Sequence, residues 1–105
     1  MPLFLCRLNG PRPTFPQDMS EGERALMGEH ARHWLKGMKG EGVVVFGPVA
    51  DPAGFWGLGV LECAGPEDAQ RFTEADPVIR GAAGFAYDIH PMPGAVASGR
   101  APPAS

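Results

Sequence analysis

The sequence predicts an α+β domain in which two helices pack on one face of an antiparallel sheet. Strand-like apolar runs alternate with two stretches whose apolar residues recur at helical spacing. Glycine and proline separate these segments, and a chain of 105 residues has room for one domain. We therefore expect a domain over residues 1–92 and a flexible tail, rich in Gly, Pro, Ala and Ser, over 93–105.

The first part of the chain predicts a strand, a loop and a helix. Residues 3–8 form a short apolar run that ends in a glycine–proline cluster, which is typical of a strand. Residues 9–19 contain three prolines and therefore form a loop, either a connector or a lid. Ser20 and Glu23 have the spacing of a capping box at a helix start. An apolar stripe follows, made of Leu26, Met27, His30, Ala31, Trp34, Leu35 and Met38, in which the ionisable His30 stands out.

The second part predicts a strand pair, a helix and a last strand. The β-branched run 43–46 is a buried strand, and the sequence Asp-Pro-Ala-Gly at 51–54 has turn residues in suitable places. The next helix begins with a proline at its first position and ends where a proline follows Asp76. The remaining boundaries are a strand at 55–63, a connector at 78–84 and a strand at 85–90.

The element order β-α-β-β-α-β is that of a ferredoxin-like sandwich. Its helices cover only one face of the sheet, and strands this apolar also need cover on the other face. The sequence therefore predicts a homodimer that forms through the open face of the sheet.

Composition excludes several classes of function. The formal net charge is −3, which gives no basic patch for nucleic acid. No apolar run approaches the ~20 residues that span a bilayer, and no secretory leader is recognisable, so we expect no membrane partner and a cytoplasmic location.

Cys6 and Cys63 fit the unpaired thiols of a reducing compartment. Glu29, His30 and His33 lack a further ligand at a diagnostic spacing, so we expect no metal site.

Several short motifs occur in an order that is specific as a combination. They are His30 with Trp34-Leu35, then Gly42, Phe46-Gly47-Pro48, Asp51-Pro52-Ala53-Gly54, Trp56-Gly57, Asp76-Pro77 and Ile89-His90-Pro91-Met92. With these motifs the chain resembles the YCII-related (YciI-like) proteins over residues 3–92. The resemblance implies a dimeric ferredoxin-like α+β barrel with a cleft between the first helix and the sheet.

The resemblance also implies a site. The family's histidine and aspartate correspond to His30 and Asp76, and Arg7, Trp34 and Trp56 are candidate substrate-binding residues. An aspartate that accepts from one imidazole nitrogen fixes the tautomer and makes the other nitrogen a better base. A dehydrochlorinase of chlorinated hydroxyquinols and the muconolactone isomerases have similar folds. The expected function is therefore lyase-type or isomerase-type acid/base chemistry on a small organic substrate, without a cofactor.

The residues alone leave two interpretations open. Asp76 could simply end a helix while His30 bonds a backbone carbonyl, and the protein would then be a non-catalytic binding or accessory domain. A polar, water-accessible pocket around His30 would favour the enzyme. An imidazole sealed by Trp34 and Met38 would favour the binding domain. Arg7 is likewise either an edge residue or an anion clamp.

Overall fold

A computed structural model describes residues 1–100 of the chain. These residues form four strands and three helices: β1 (Leu3–Asn9), α1 (Glu21–Gly37), β2 (Val43–Val49), β3 (Trp56–Glu62), α2 (Pro66–Glu74), α3 (Pro77–Arg80) and β4 (Ala86–Pro91). The strands lie in the order β2-β3-β1-β4, and every neighbouring pair is antiparallel. The predicted α+β class is confirmed, and the architecture is consistent with a ferredoxin-like fold. Of the predicted tail, residues 93–100 contain only turns and irregular backbone, and residues 101–105 lie outside the described part.

Helix α1 begins as its sequence predicts. The Ser20 hydroxyl accepts from the Glu23 backbone N–H at 3.1 Å, and the Glu23 carboxylate accepts from the Ser20 N–H at 2.9 Å. The predicted stripe is wrong at its C-terminal end, because Leu35 is 59% exposed and Met38 is 45% exposed. The buried residues of this helix are Trp34 and Gly37 instead. A Cβ at Gly37 would lie only 2.7 Å from Val43 Cγ2, so this glycine brings the helix close to the sheet and turns Leu35 away from it.

The core lies between the helices and one face of the sheet. On β1 the side chains of Phe4, Cys6 and Leu8 alternate inward. The inward face of β3 has Gly59 directly beneath the Trp34 indole, and a Cβ at that position would overlap the ring. Gly59 therefore leaves room on this face of β3 for a helix side chain to pack closely.

The segment after α2 differs from its prediction as a plain connector. Residues 77–80 form the short helix α3, which Asp76 caps by accepting from the Val78 backbone N–H at 3.0 Å. Helix α3 packs against α1, so Asp76 lies at a junction of three helices. Across residues 1–100, no helix is both long and apolar enough to cross a membrane.

Candidate functional site

His30 and Asp76 form a hydrogen-bonded pair between α1 and the break that separates α2 from α3. The distance from His30 Nδ1 to Asp76 Oδ2 is 2.7 Å. The His30 side chain is 14% exposed, whereas the Asp76 side chain has no exposure. Asp76 is ionised at neutral pH, so Nδ1 carries the hydrogen of this bond and Nε2 is left as the nitrogen available to another molecule.

Asp76 accepts more than the histidine hydrogen bond. Its Oδ2 also accepts from the Tyr87 hydroxyl at 2.6 Å and from the Trp34 indole Nε1 at 3.0 Å, while its Oδ1 caps α3. The Trp34 N–H is shared with the Tyr87 oxygen, at 2.9 Å. His30 and Trp34 are one helical turn apart and therefore reach the same carboxylate. Asp76 thus caps the start of α3 with Oδ1 and orients His30 with Oδ2.

These contacts determine how the buried groups titrate. Burial acts to raise the pKa of the Asp76 carboxyl, but the hydrogen bonds from His30 and Tyr87 outweigh it and hold the pKa below its usual range. Burial and the adjacent Asp76 charge raise the pKa of the Tyr87 phenol. At physiological pH, Asp76 is therefore ionised and Tyr87 is a neutral hydrogen-bond donor.

His30 borders a cavity of about 390 Å³ between α1, the sheet and the loop before α1. Its walls are apolar, with five aromatic side chains among them: Phe15, Phe46, Phe55, Trp56 and Phe85. Among the described residues that line it, His30 is the one titratable group. Because 14% of the His30 side chain is exposed, the imidazole is not sealed from solvent, but the cavity is apolar and not the polar pocket that would favour the enzyme. Met38 does not line it.

The loop over residues 10–19 forms one wall of the cavity and is tied to α1. Phe15 packs edge-on against Phe85, with ring centroids 5.2 Å apart. The Arg12 guanidinium donates to both Glu23 carboxylate oxygens at 2.7 Å and to Asp18 at 2.9 and 3.0 Å. The bonds from Arg12 to Glu23 tie the loop that carries Phe15 to the first turn of α1.

The family profile of the YCII-related domain matches residues 4–93, which is nearly the whole of the folded domain. The chain belongs to the YCII-related family. No curated protein matches the chain. Family membership accounts for the arrangement of strands and helices, but it assigns no reaction to the cavity.

The predicted substrate-binding residues of this YCII-related domain lie in three different environments. Trp56 lines the cavity. Trp34 is 1% exposed and lies behind His30, where it packs on Phe72 and bonds Asp76 instead of meeting the cavity. Arg7 points from β1 to the open face of the sheet, because it alternates with the inward Cys6. Its guanidinium carbon lies 4.4 Å from the centroid of the Trp56 ring, on the side away from the cavity.

Tyr87 is the site residue that the sequence analysis missed. Strand alternation predicts that Tyr87 shares an inward face with Ile89, as a core or interface residue first and a ligand contact second, and both residues do pack against the core. Its bond to Asp76 was not predicted. A buried tyrosine needs a partner for its hydroxyl, and the nearest inward acceptor was the predicted site aspartate. That requirement is the signal from which Tyr87 could have been found.

The other histidines lie outside the cavity. The His33 Nε2 contacts the Phe72 carbonyl oxygen at 2.8 Å, and the ring stacks on Phe72 with centroids 4.3 Å apart. His90 is exposed on the outer face of β4. Within residues 1–100, no group of three or more His, Cys, Asp or Glu side chains is placed to hold a metal ion.

Proposed function

We propose that this protein is a cofactor-independent enzyme that moves a proton on a small organic substrate, with His30 as the base and Asp76 as its positioning partner. One observation carries the proposal. The 2.7 Å bond from His30 Nδ1 to a fully buried carboxylate leaves the second ring nitrogen for a molecule in the cavity. A base held in this way, beside a site that excludes most water, is what proton abstraction needs.

The proposed reaction begins with neutral His30. Its Nε2 takes a proton from a carbon next to a carbonyl group, and the electron pair of the C–H bond moves into the carbonyl to give an enolate. The ring becomes an imidazolium, which the Asp76 carboxylate stabilises through Nδ1–H. His30 then returns the proton to another carbon, which is an isomerisation, or a leaving group departs from the β-carbon, which is an elimination.

Trp34 and Tyr87 act as positioning residues in this proposal. Both donate to the same oxygen of Asp76 that receives the His30 hydrogen, at 3.0 and 2.6 Å. They fix the direction of that oxygen, and through it the plane of the imidazole ring. Trp56 remains a candidate substrate contact, as part of the cavity wall. Arg7 is withdrawn from that role because its side chain is on the other face of the sheet.

The test is proton exchange on a simple ketone. We expect the wild-type protein to speed deuterium exchange at the α-carbons of 2-indanone in D₂O, followed by proton NMR, and His30→Gln to lose about 100-fold or more of that rate. His33→Gln is the matched control, because it makes the same change on the same helix outside the cavity. A wild-type rate no higher than that of His30→Gln rejects the enzyme and leaves a non-catalytic binding domain as the alternative.

We also propose that the open face of the sheet forms a homodimer. It presents Leu5, Val45 and Leu58 outward, and Val45 is 46% exposed. A row of apolar residues across the middle of a sheet is the surface that a second copy would bury. Sedimentation velocity that finds only monomer at micromolar concentration would rule this out.

A cytoplasmic location is part of the proposal. Both cysteines are free, and Cys6 is fully buried. Burial raises the pKa of the Cys6 thiol to about 12, which keeps it protonated and unreactive. Unpaired thiols of this kind suit a reducing compartment.

A further inference from the structure

The charges around the His30 cavity constrain what it can bind. No arginine or lysine is among the described residues that line it. Arg7, the predicted anion clamp, is on the far side of Trp56, where its Nε donates to Asn9 Oδ1 at 3.1 Å. A negatively charged ligand in the cavity would lose its water of hydration without gaining a cation, and that loss is expensive in an apolar site.

A second groove lies on the other side of the wall formed by Phe15 and Trp56 and contains two arginines, one of which is paired with carboxylates. Arg7 and Arg12 line this groove. Arg12 is already bonded to two carboxylates, those of Asp18 and Glu23. The Asp51 carboxylate accepts from the Ala53 backbone N–H at 2.9 Å and from the Trp56 indole N–H at 3.2 Å, and these bonds, with a smaller contribution from the charge of Arg7, hold the pKa of Asp51 below its usual range. Neither arginine lines the His30 cavity, so neither offers its charge to a ligand inside it.

A cationic ligand in the cavity would also lack an accessible counter-charge. No Asp or Glu is among the described residues that line the cavity. The Asp76 carboxylate, behind His30, is fully buried and surrounded by hydrogen-bond donors. A cation could approach it only by displacing His30. The volume and the walls point to a flat molecule, since a dry cavity of about 150 Å³ is enough for benzene. The 390 Å³ here would hold one or two rings against Phe46, Phe55 and Phe85.

We propose that the His30 cavity is specific for an uncharged, planar molecule of one or two rings with an acidic hydrogen that points at His30 Nε2. This inference rests on the proposed function for the role of that hydrogen. The preference for an uncharged ligand rests only on the lack of an available counter-charge in the cavity. In this arrangement the imidazolium formed by proton transfer is the counter-charge for the anion that develops, since the described lining residues include no arginine or lysine. The ligand therefore binds in its neutral form and becomes an anion only after proton transfer to His30.

Three compounds that share one ring test the proposal: acetophenone is uncharged, benzoate is an anion and benzamidine is a cation. We expect isothermal titration of the wild-type protein to give acetophenone at least a tenfold lower Kd than either charged compound. Ala31→Phe, a change at an exposed helix residue on the cavity wall, should weaken acetophenone binding at least tenfold. Leu35→Phe, one turn further along α1 and outside the cavity, is the control and should leave that binding unchanged.

Benzoate or benzamidine binding as tightly as acetophenone overturns the proposal, and so does the failure of acetophenone to bind at millimolar concentration. Loss of benzoate affinity in Arg7→Gln would show that the second groove takes anions after all. These results are separable from the proposed function. If a charged compound binds as tightly as acetophenone, the charge preference is wrong, but His30-dependent deuterium exchange on the ketone still supports the proposed function. If no exchange is seen, the proposed function is wrong, but weaker binding of both charged compounds still supports the charge preference.

Discussion

Replacing Asp76 by alanine is expected to lower the free energy of unfolding by about 3–5 kcal/mol, the range for removing one partner of a buried charged pair. The change leaves the His30 ring N–H without its acceptor and removes the acceptor of the Tyr87 hydroxyl. It also exposes the first backbone N–H of α3, which Asp76 caps. Urea denaturation followed by circular dichroism measures the loss. Asp88→Ala is the control, since Asp88 is exposed and bonds only Asn9, and it should cost less than about 1 kcal/mol.

The same residue predicts how stability depends on pH. The pKa of Asp76 is lower in the folded protein than the ~3.9 of an unfolded aspartate. Its contribution is therefore fully present above pH ~4 and is lost as the pH falls through the folded pKa. The stability difference between wild type and Asp76→Ala should shrink when the pH is lowered from 6 to 3. A difference that stays constant over this range would mean that Asp76 is not held as a carboxylate by its partners.

Gly59→Ala is expected to destabilise the protein by about 1–3 kcal/mol although it adds only one methyl group. The new Cβ would lie 2.5 Å from Trp34 Cζ3 and 2.9 Å from its Cζ2, and both partners are fixed in the core. Trp34 can move only by giving up its hydrogen bond to Asp76, so the substitution also disturbs the support of His30. Thermal and urea unfolding measure the effect.

Gly47→Ala is the matched control for Gly59→Ala. Gly47 lies on the neighbouring strand β2, has an ordinary backbone conformation, and a Cβ there would meet no atom within 4 Å. Its effect should stay within about 0.5 kcal/mol. Trp34→Phe should make the effect of Gly59→Ala smaller, because the two side chains then no longer compete for the same space. Equal effects at Gly47 and Gly59 would contradict the packing described here.

Much of the fold could be predicted because its signals are local. Ser20 and Glu23 cap α1 as their spacing indicates. The turn at residues 51–54 forms as predicted: the Gly54 N–H donates to the Asp51 carbonyl at 2.8 Å, and Gly54 has φ 134°. Gly40 and Gly42 also have positive φ, 119° and 84°. In each case the residue itself determines the backbone conformation, so no distant partner has to be known.

The errors occur where a distant partner decides the structure. Leu35 and Met38 fit a helical stripe, but Gly37 brings α1 closest to the sheet and rotates the buried line away from them. For Arg7 the sequence left an edge residue and an anion clamp both open, and the sheet register shows that it alternates with the inward Cys6 and Leu8. Tyr87 joins the site through an acceptor 11 residues away, beyond a helix and a turn. Spacing alone cannot show such a contact.

The central claim is that Asp76 holds His30 with its proton on Nδ1, so that Nε2 is the basic atom facing the cavity. Long-range proton–nitrogen correlation NMR on ¹⁵N-labelled protein, at a pH where the ring is neutral, reports this tautomer directly. The structure predicts that the neutral His30 ring carries its proton on Nδ1 in the wild type, and that Asp76→Asn weakens this preference. A neutral ring protonated on Nε2 in the wild type would contradict the account and leave the cavity without its base.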